Sequence, residues 1–120
     1  MKTIQIDRQV LQTLYGGCEE SIKEVFTEFI RGYSELKENL VSGYESANAI
    51  LLKKVLHFHG PSFMYLGMPE ITSQFKKIEM YCAEPSACSL PSSEFTELME
   101  MVNESKLLVE NEINYIRKAV

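Results

Sequence analysis

The spacing of apolar residues in the second quarter of the chain sets the architecture. Ile22, Phe26, Phe29, Tyr33, Leu36 and Leu40 recur at alternating steps of four and three. At ~100° of turn per residue, that rhythm keeps them on one stripe of an α-helix, the seam expected of helix-on-helix packing. A stripe of this kind has to be covered by other helices. Suitable partners recur along the chain, in Ile71, Phe75, Ile78 and Cys82 and again in Leu98, Val102, Val109, Ile113 and Ile116. No segment alternates apolar and polar residues with a period of two, so nothing reads as a strand. The fold class is all-α.

Local signals divide the chain into elements. Asp7 is a good N-cap, and the Gly16-Gly17 pair closes a short leading helix. The seam helix runs from about Glu19 to Val41 and is broken by Ser42-Gly43. A third helix over about 46–66 ends at Gly67, and Pro69 suits the first turn of the next. Pro85 stops that helix, and Ser86 to Pro91 form a loop. Ser92 or Ser93 caps a final long helix, with Glu94 and Glu97 in its first turn and Arg117 and Lys118 at its far end, both favourable to the helix dipole. Short loops force antiparallel neighbours. The expected fold is therefore an antiparallel up-down-up-down four-helix bundle with a short extra N-terminal helix, one domain over residues 1–120.

Composition narrows the partners. The chain is 45% hydrophobic and 24% charged, as soluble domains are, with a net charge of −5. An acidic chain without basic runs argues against nucleic acid, whose phosphates need Lys and Arg clusters. Cys18, Cys82 and Cys88 are odd in number and lack zinc-like spacing, which points away from a disulfide framework and toward a reducing cytoplasm. The amino terminus has no apolar core of signal-peptide type, and no stretch approaches the ~18 apolar residues of a membrane helix. A soluble cytoplasmic protein is expected, with no membrane partner.

His57 is the residue most suited to chemistry. On a helix over 46–66, Leu51, Leu52, Val55, Phe58, Ser62, Phe63 and Leu66 gather on one broad side. His57 points the other way, beside Lys53, Lys54, Pro61 and Met64. His59 lies ~200° round from it, toward the apolar side, and reads as a core or boundary histidine. Pro61 has no N–H to return to the carbonyl four residues back, which belongs to His57. Gly60 beside it leaves the approach to His57 clear of a side chain.

These residues carry a resemblance. Leu56-His57-Phe58-His59-Gly60-Pro61-Ser62, followed by Leu66-Gly67, resembles the phosphoacceptor helix of histidine-containing phosphotransfer (HPt) domains. That family shows a pattern like Ala-His-x-Leu-Lys-(Gly or Pro)-Ser-x-x-x-Leu-Gly. Ile71, Phe75 and Ile78 fall where its next helix packs, and Gly16-Gly17-Cys18-Glu19-Glu20 looks like the start of its preceding helix. The likeness covers roughly residues 5–84, with the last helix fitting by pattern only. One departure stands out: the family's lysine three residues after the histidine is Gly60 here. Lys53 and Lys54, one turn before His57, are the residues placed to supply that charge instead.

The resemblance implies a phosphorelay intermediary. His57 would accept a phosphoryl group from the aspartate of a response-regulator receiver domain and pass it to another. Lys53 and Lys54 would act as electrostatic helpers, and Gly60, Pro61 and Met64 would form part of the docking surface. Receiver domains and a hybrid histidine kinase would be the partners. Magnesium would sit on the receiver only, so this chain would hold no cofactor and no metal of its own.

The residues themselves fit that role. A neutral imidazole is a nucleophile that can hold a phosphoryl group as a phosphoramidate. The chain has no Gly-rich phosphate loop and no acidic pair set for magnesium, so autonomous kinase activity is not expected. A first alternative is a docking module of the same fold that binds a receiver or kinase without phosphoryl chemistry. A metal site built from His57 and His59 is disfavoured, because residues two apart on a helix face nearly opposite ways. The Glu-x-x-His pattern of di-iron bundles is missing too: Lys54 and Leu56 stand three before the two histidines. No Ser-His-acid or Cys-His set can be assigned from spacing.

Overall fold

The computed structural model describes residues 4–82 and 90–118, with the side chains of 117 and 118 excepted. The expected stop at Pro85, most of the loop from Ser86, Cys88 and the side chains of Arg117 and Lys118 lie outside the described residues. Every regular element among the described residues is a helix.

Helix α1 spans Arg8–Tyr15. The Asp7 carboxylate caps it, accepting from the N–H groups of Gln9 at 2.9 Å and Val10 at 3.4 Å. Gly16 closes it in the left-handed region, at φ +59°. Helix α2, Glu19–Glu45, is 27 residues long, ~40 Å at the usual rise. Its seam behaves as its spacing requires: Phe26, Tyr33, Leu36 and Leu40 are buried, and Ile22 and Phe29 half-buried.

Ser42-Gly43 does not end α2, contrary to expectation. Gly43 is buried where the next helix crosses, and a Cβ on it would stand 3.1 Å from the Leu52 Cα. The glycine serves close helix approach, and the chain turns three residues later. Ala47 takes a left-handed φ of +53° there, and Asn48 then caps helix α3 by accepting from the Leu51 N–H at 3.0 Å.

The third helix is not continuous over 46–66. Helix α3 is Ala49–His59, and a single turn, α4, follows at Ser62–Tyr65. Pro61 is the cause, since it brings no N–H to the ladder. The axis nevertheless runs on, because Gly60 (φ −53°, ψ −49°) and Pro61 (φ −60°, ψ −26°) keep helical dihedrals. Tighter bonds bridge the junction: Phe63 N–H to Gly60 O at 3.3 Å and Met64 N–H to Pro61 O at 3.1 Å. Gly67 turns the chain at φ +75°. Helix α5 is Pro69–Met80, with proline in its first turn, and α6 is Ser92–Lys118.

Helix α2 packs on α3 and α6, α3 packs on α5, and α5 packs on α6, which closes a ring of four. Helix α1 lies on α2 and α4. Inside the ring Phe26, Phe63, Phe75, Leu40, Leu52, Leu56, Ile78 and Val102 are fully buried; each such side chain contributes ~1.5–3 kcal/mol relative to exposure. Phe63 links the layers, its ring centroid 5.5 Å from that of Phe29 and 5.1 Å from that of Phe75.

The buried face of α3 is Leu52, Val55 and Leu56, continued by Phe63. Leu51 and Phe58, expected in the core, are 39% and 76% exposed, and Ser62 is exposed as well. The true stripe is turned by roughly 70° from the one the helical wheel favours, because the α2 crossing at Gly43 draws Leu52 to the centre.

Candidate functional site

Helix α3 carries the candidate residues, and its rotation decides what each can do. The His57 side chain is 83% exposed, as its place on the outer face requires. Its Nδ1 lies 3.5 Å from Oε1 of Glu79 on α5, whose side chain is 24% exposed. At that separation the contact is electrostatic, beyond ordinary hydrogen-bond length. A carboxylate facing Nδ1 favours the tautomer with the proton there and leaves the lone pair on Nε2. Among the described residues no hydrogen bond or ion pair engages Nε2.

Lys53 and Lys54 are both exposed and share a groove of about 850 Å³ with His57. Phe58 on α3 and Glu35 and Asn39 on α2 also line it. Neither lysine forms an ion pair among the described residues. The structure thus brings His57, Lys53 and Lys54 together. It also adds Phe58, a large apolar surface beside the imidazole.

His59 is half-buried at the same groove, with its ring edge-on to Phe58 at 4.9 Å. Burial pushes its pKa below the ordinary histidine value, partly opposed by the Glu35 carboxylate. A boundary histidine is what the sequence led to.

The three docking candidates separate. Pro61 is exposed, and Met64 is 39% exposed. Gly60 is buried, so it cannot offer a surface to a partner. A Cβ on Gly60 would stand 2.9 Å from the Leu56 carbonyl oxygen and 3.2 Å from the Phe75 Cβ. Its lack of a side chain lets α3 approach α5, and that approach is what brings Glu79 to His57. The Gly60 carbonyl accepts from the buried Thr72 hydroxyl at 2.8 Å, which ties the two helices at this level.

Two contributors went unseen in the sequence. Glu79 has no local signal, because only the α3–α5 packing places it. Phe58 was hidden by the phase of the wheel. A third feature is legible in the sequence alone: residues 46–69 contain no Asp or Glu, although the chain has 17 of them. The His57 helix is a basic and apolar island on an acidic protein.

Among the described residues no group of three or more His, Cys, Asp or Glu side chains is placed to hold a metal ion. No described helix is long and apolar enough to cross a membrane. Comparison with family models, with curated proteins and with solved structures gives no match to the chain.

Proposed function

We propose that the chain is a phosphorelay intermediary of HPt type, an antiparallel up-down-up-down bundle that carries a phosphoryl group on His57. The observation that supports it best is an exposed imidazole with Nδ1 turned to a carboxylate and Nε2 unengaged, on a helix that has no acidic residue of its own and carries two lysines beside the histidine.

The chemistry follows from that arrangement. The Nε2 lone pair attacks the phosphorus of an aspartyl phosphate on a receiver domain. An N–P bond forms, the P–O bond to the aspartate breaks, and the carboxylate leaves with the electron pair. The ring keeps its proton on Nδ1 and becomes cationic, and Glu79 stabilises that charge at 3.5 Å. Lys53 and Lys54 offset the charge on the phosphoryl oxygens. The receiver supplies magnesium and its acidic ligands; this chain supplies the acceptor, its orientation and a docking face. Onward transfer to a second receiver reverses the same steps, and a hybrid histidine kinase feeds the relay.

The docking face differs from the one the sequence suggests. Phe58 joins Pro61 and Met64 as exposed surface near His57, and Gly60 leaves the set. An acid-rimmed receiver site complements a face bearing Lys53 and Lys54.

Burial of Gly60 favours the second reading, a docking module without phosphoryl transfer, since the lysine of the family pattern has no place to emerge there. The two separate in one experiment. Phosphorylated receiver domains are offered, with magnesium, to wild type and to His57→Gln. Acid-labile, base-stable label on wild type alone supports the carrier. Receiver binding without label on either protein supports the silent module.

A further inference from the structure

We propose that the groove between α2 and α3 is a self-association surface, which pairs two copies of this chain about a two-fold axis running along it. The pairing rests on the shape and charge of the groove and not on the phosphoryl-carrier reading.

Apolar surface is concentrated here. Among the described residues nine large apolar side chains are exposed, and five of them, Ile50, Leu51, Phe58, Met64 and Tyr65, lie on α3 and α4. A cluster of this kind marks an interaction surface, which singly scattered residues do not. Phe58 is the most exposed of the five, at 76%, and it stands on the wall of the groove. Leu51 lies two turns before it on nearly the same line of the helix. The two walls carry opposite charge: Lys53 and Lys54 stand on the α3 side and Glu35 on the α2 side. None of the three forms an ion pair among the described residues. Glu35 belongs to an exposed acidic row on α2 with Glu38 and Glu45, whereas α3 has no acid at all.

A second copy is the occupant this surface fits. A two-fold interface needs one patch that complements itself, with a ridge beside a hollow and opposite charges on the two sides of the axis. The groove supplies each of these. A two-fold axis along it lays α3 of each copy over α2 of the other. Phe58 of each copy then enters the other's groove, and Lys53 and Lys54 meet Glu35 across the interface, twice over. The size is sufficient for a reversible pair. From Ala49 to Tyr65 the α3–α4 axis is ~25 Å long at the usual rise. Two adjacent helices are ~20 Å wide, so each copy offers ~500 Å² and the pair buries ~1,000 Å², the lower limit of a specific interface. His57 lines the same groove and is covered in the pair. Self-association and receiver docking therefore compete for one face, a consequence that alone rests on the phosphoryl-carrier reading.

Sedimentation equilibrium on the full chain tests this without any phosphoryl chemistry. Wild type is expected to pass reversibly from one chain to two as its concentration rises from about 10 μM to about 1 mM, the range suited to a small interface. Phe58→Ala should weaken the association at least ~10-fold, as loss of an aromatic anchor does. Glu35→Lys and Lys54→Glu each set like charges across the axis twice, so either alone should also weaken it at least ~10-fold. Mixed in equal amounts, those two variants present opposite charges at both contacts and should associate with each other about as well as wild type does with itself. All three positions are exposed, so each variant should keep the wild-type circular dichroism. Wild type that stays a single chain at every concentration, a dimer indifferent to Phe58→Ala, or a mixture no better associated than its two components would each overturn the proposal.

Discussion

Restoring the lysine of the HPt pattern at Gly60 should damage this protein. A Cβ at that position meets the Leu56 carbonyl oxygen at 2.9 Å and the Phe75 Cβ at 3.2 Å. Neither is the mobile end of a side chain. Overpacking of this kind costs ~1–3 kcal/mol. The backbone is right-handed helical at φ −53°, but Gly60 precedes Pro61, whose ring crowds a preceding Cβ in that region, so alanine gains less than the ~1 kcal/mol of helix propensity it has over glycine elsewhere. The net expectation for Gly60→Ala is a loss of about 1–2 kcal/mol, the overpacking cost less a reduced propensity gain. Gly60→Lys must in addition thread its chain out between α3 and α5, which puts it near about 3 kcal/mol, the top of the overpacking range. Urea unfolding reads both, through the midpoint at constant m-value. On a domain of this size the lysine variant should melt roughly 10 °C lower, at a few degrees per kcal/mol. A Gly60→Ala protein as stable as wild type or more so would show that α3 and α5 are not in close contact there, and the placement of Glu79 against His57 would lose its basis.

Further expectations follow from the same geometry. Glu79→Ala should redistribute the His57 proton between Nδ1 and Nε2, read from the imidazole nitrogen shifts, and slow transfer, whereas Glu79→Gln should retain more of both; unaltered shifts in the alanine variant would dismiss Glu79 as a positioning residue. Lys53→Ala with Lys54→Ala should slow phosphoryl transfer and leave stability within ~0.5 kcal/mol, as exposed changes do; an unchanged transfer rate would remove both lysines from the site. His59 is held below its ordinary pKa by burial, so the unfolded chain binds the proton more readily than the folded one. Stability on this account is whole above the unfolded value of ~6.5 and declines as pH falls below it toward the lower folded value. His59→Leu should flatten the change in urea midpoint between pH 7.5 and pH 5.5 relative to wild type, and an equal change in both proteins would contradict the assignment.

The helices were readable because their signals are local. The Asp7 cap, the Gly16 and Gly67 turns, the Pro69 start and the α2 seam each depend on neighbours a few residues away. The failures share a different origin. Gly43 looks like a terminator in sequence, but it marks the crossing with Leu52 on another helix. The same crossing fixes the rotation of α3; a helical wheel without it puts Phe58 and Leu51 in the core and Leu56 outside, whereas Leu56 is buried and the other two exposed. Gly60 suggests open space beside His57 in sequence, but in the fold it admits Phe75. Of the site, the exposure of His57 and the nearness of Lys53 and Lys54 needed only one helix and were legible. Glu79 needed tertiary packing and was not.

The most direct test of the central reading is to identify the phosphorylated atom. The chain is labelled from a phosphorylated receiver domain with magnesium, and the product is resolved by phosphorus NMR and by mass spectrometry of peptides kept at alkaline pH. The expected product is a single phosphohistidine at His57 with phosphorus on Nε2, since Nδ1 faces Glu79 at 3.5 Å. Phosphorus on Nδ1, on His59 or on no histidine at all would contradict it.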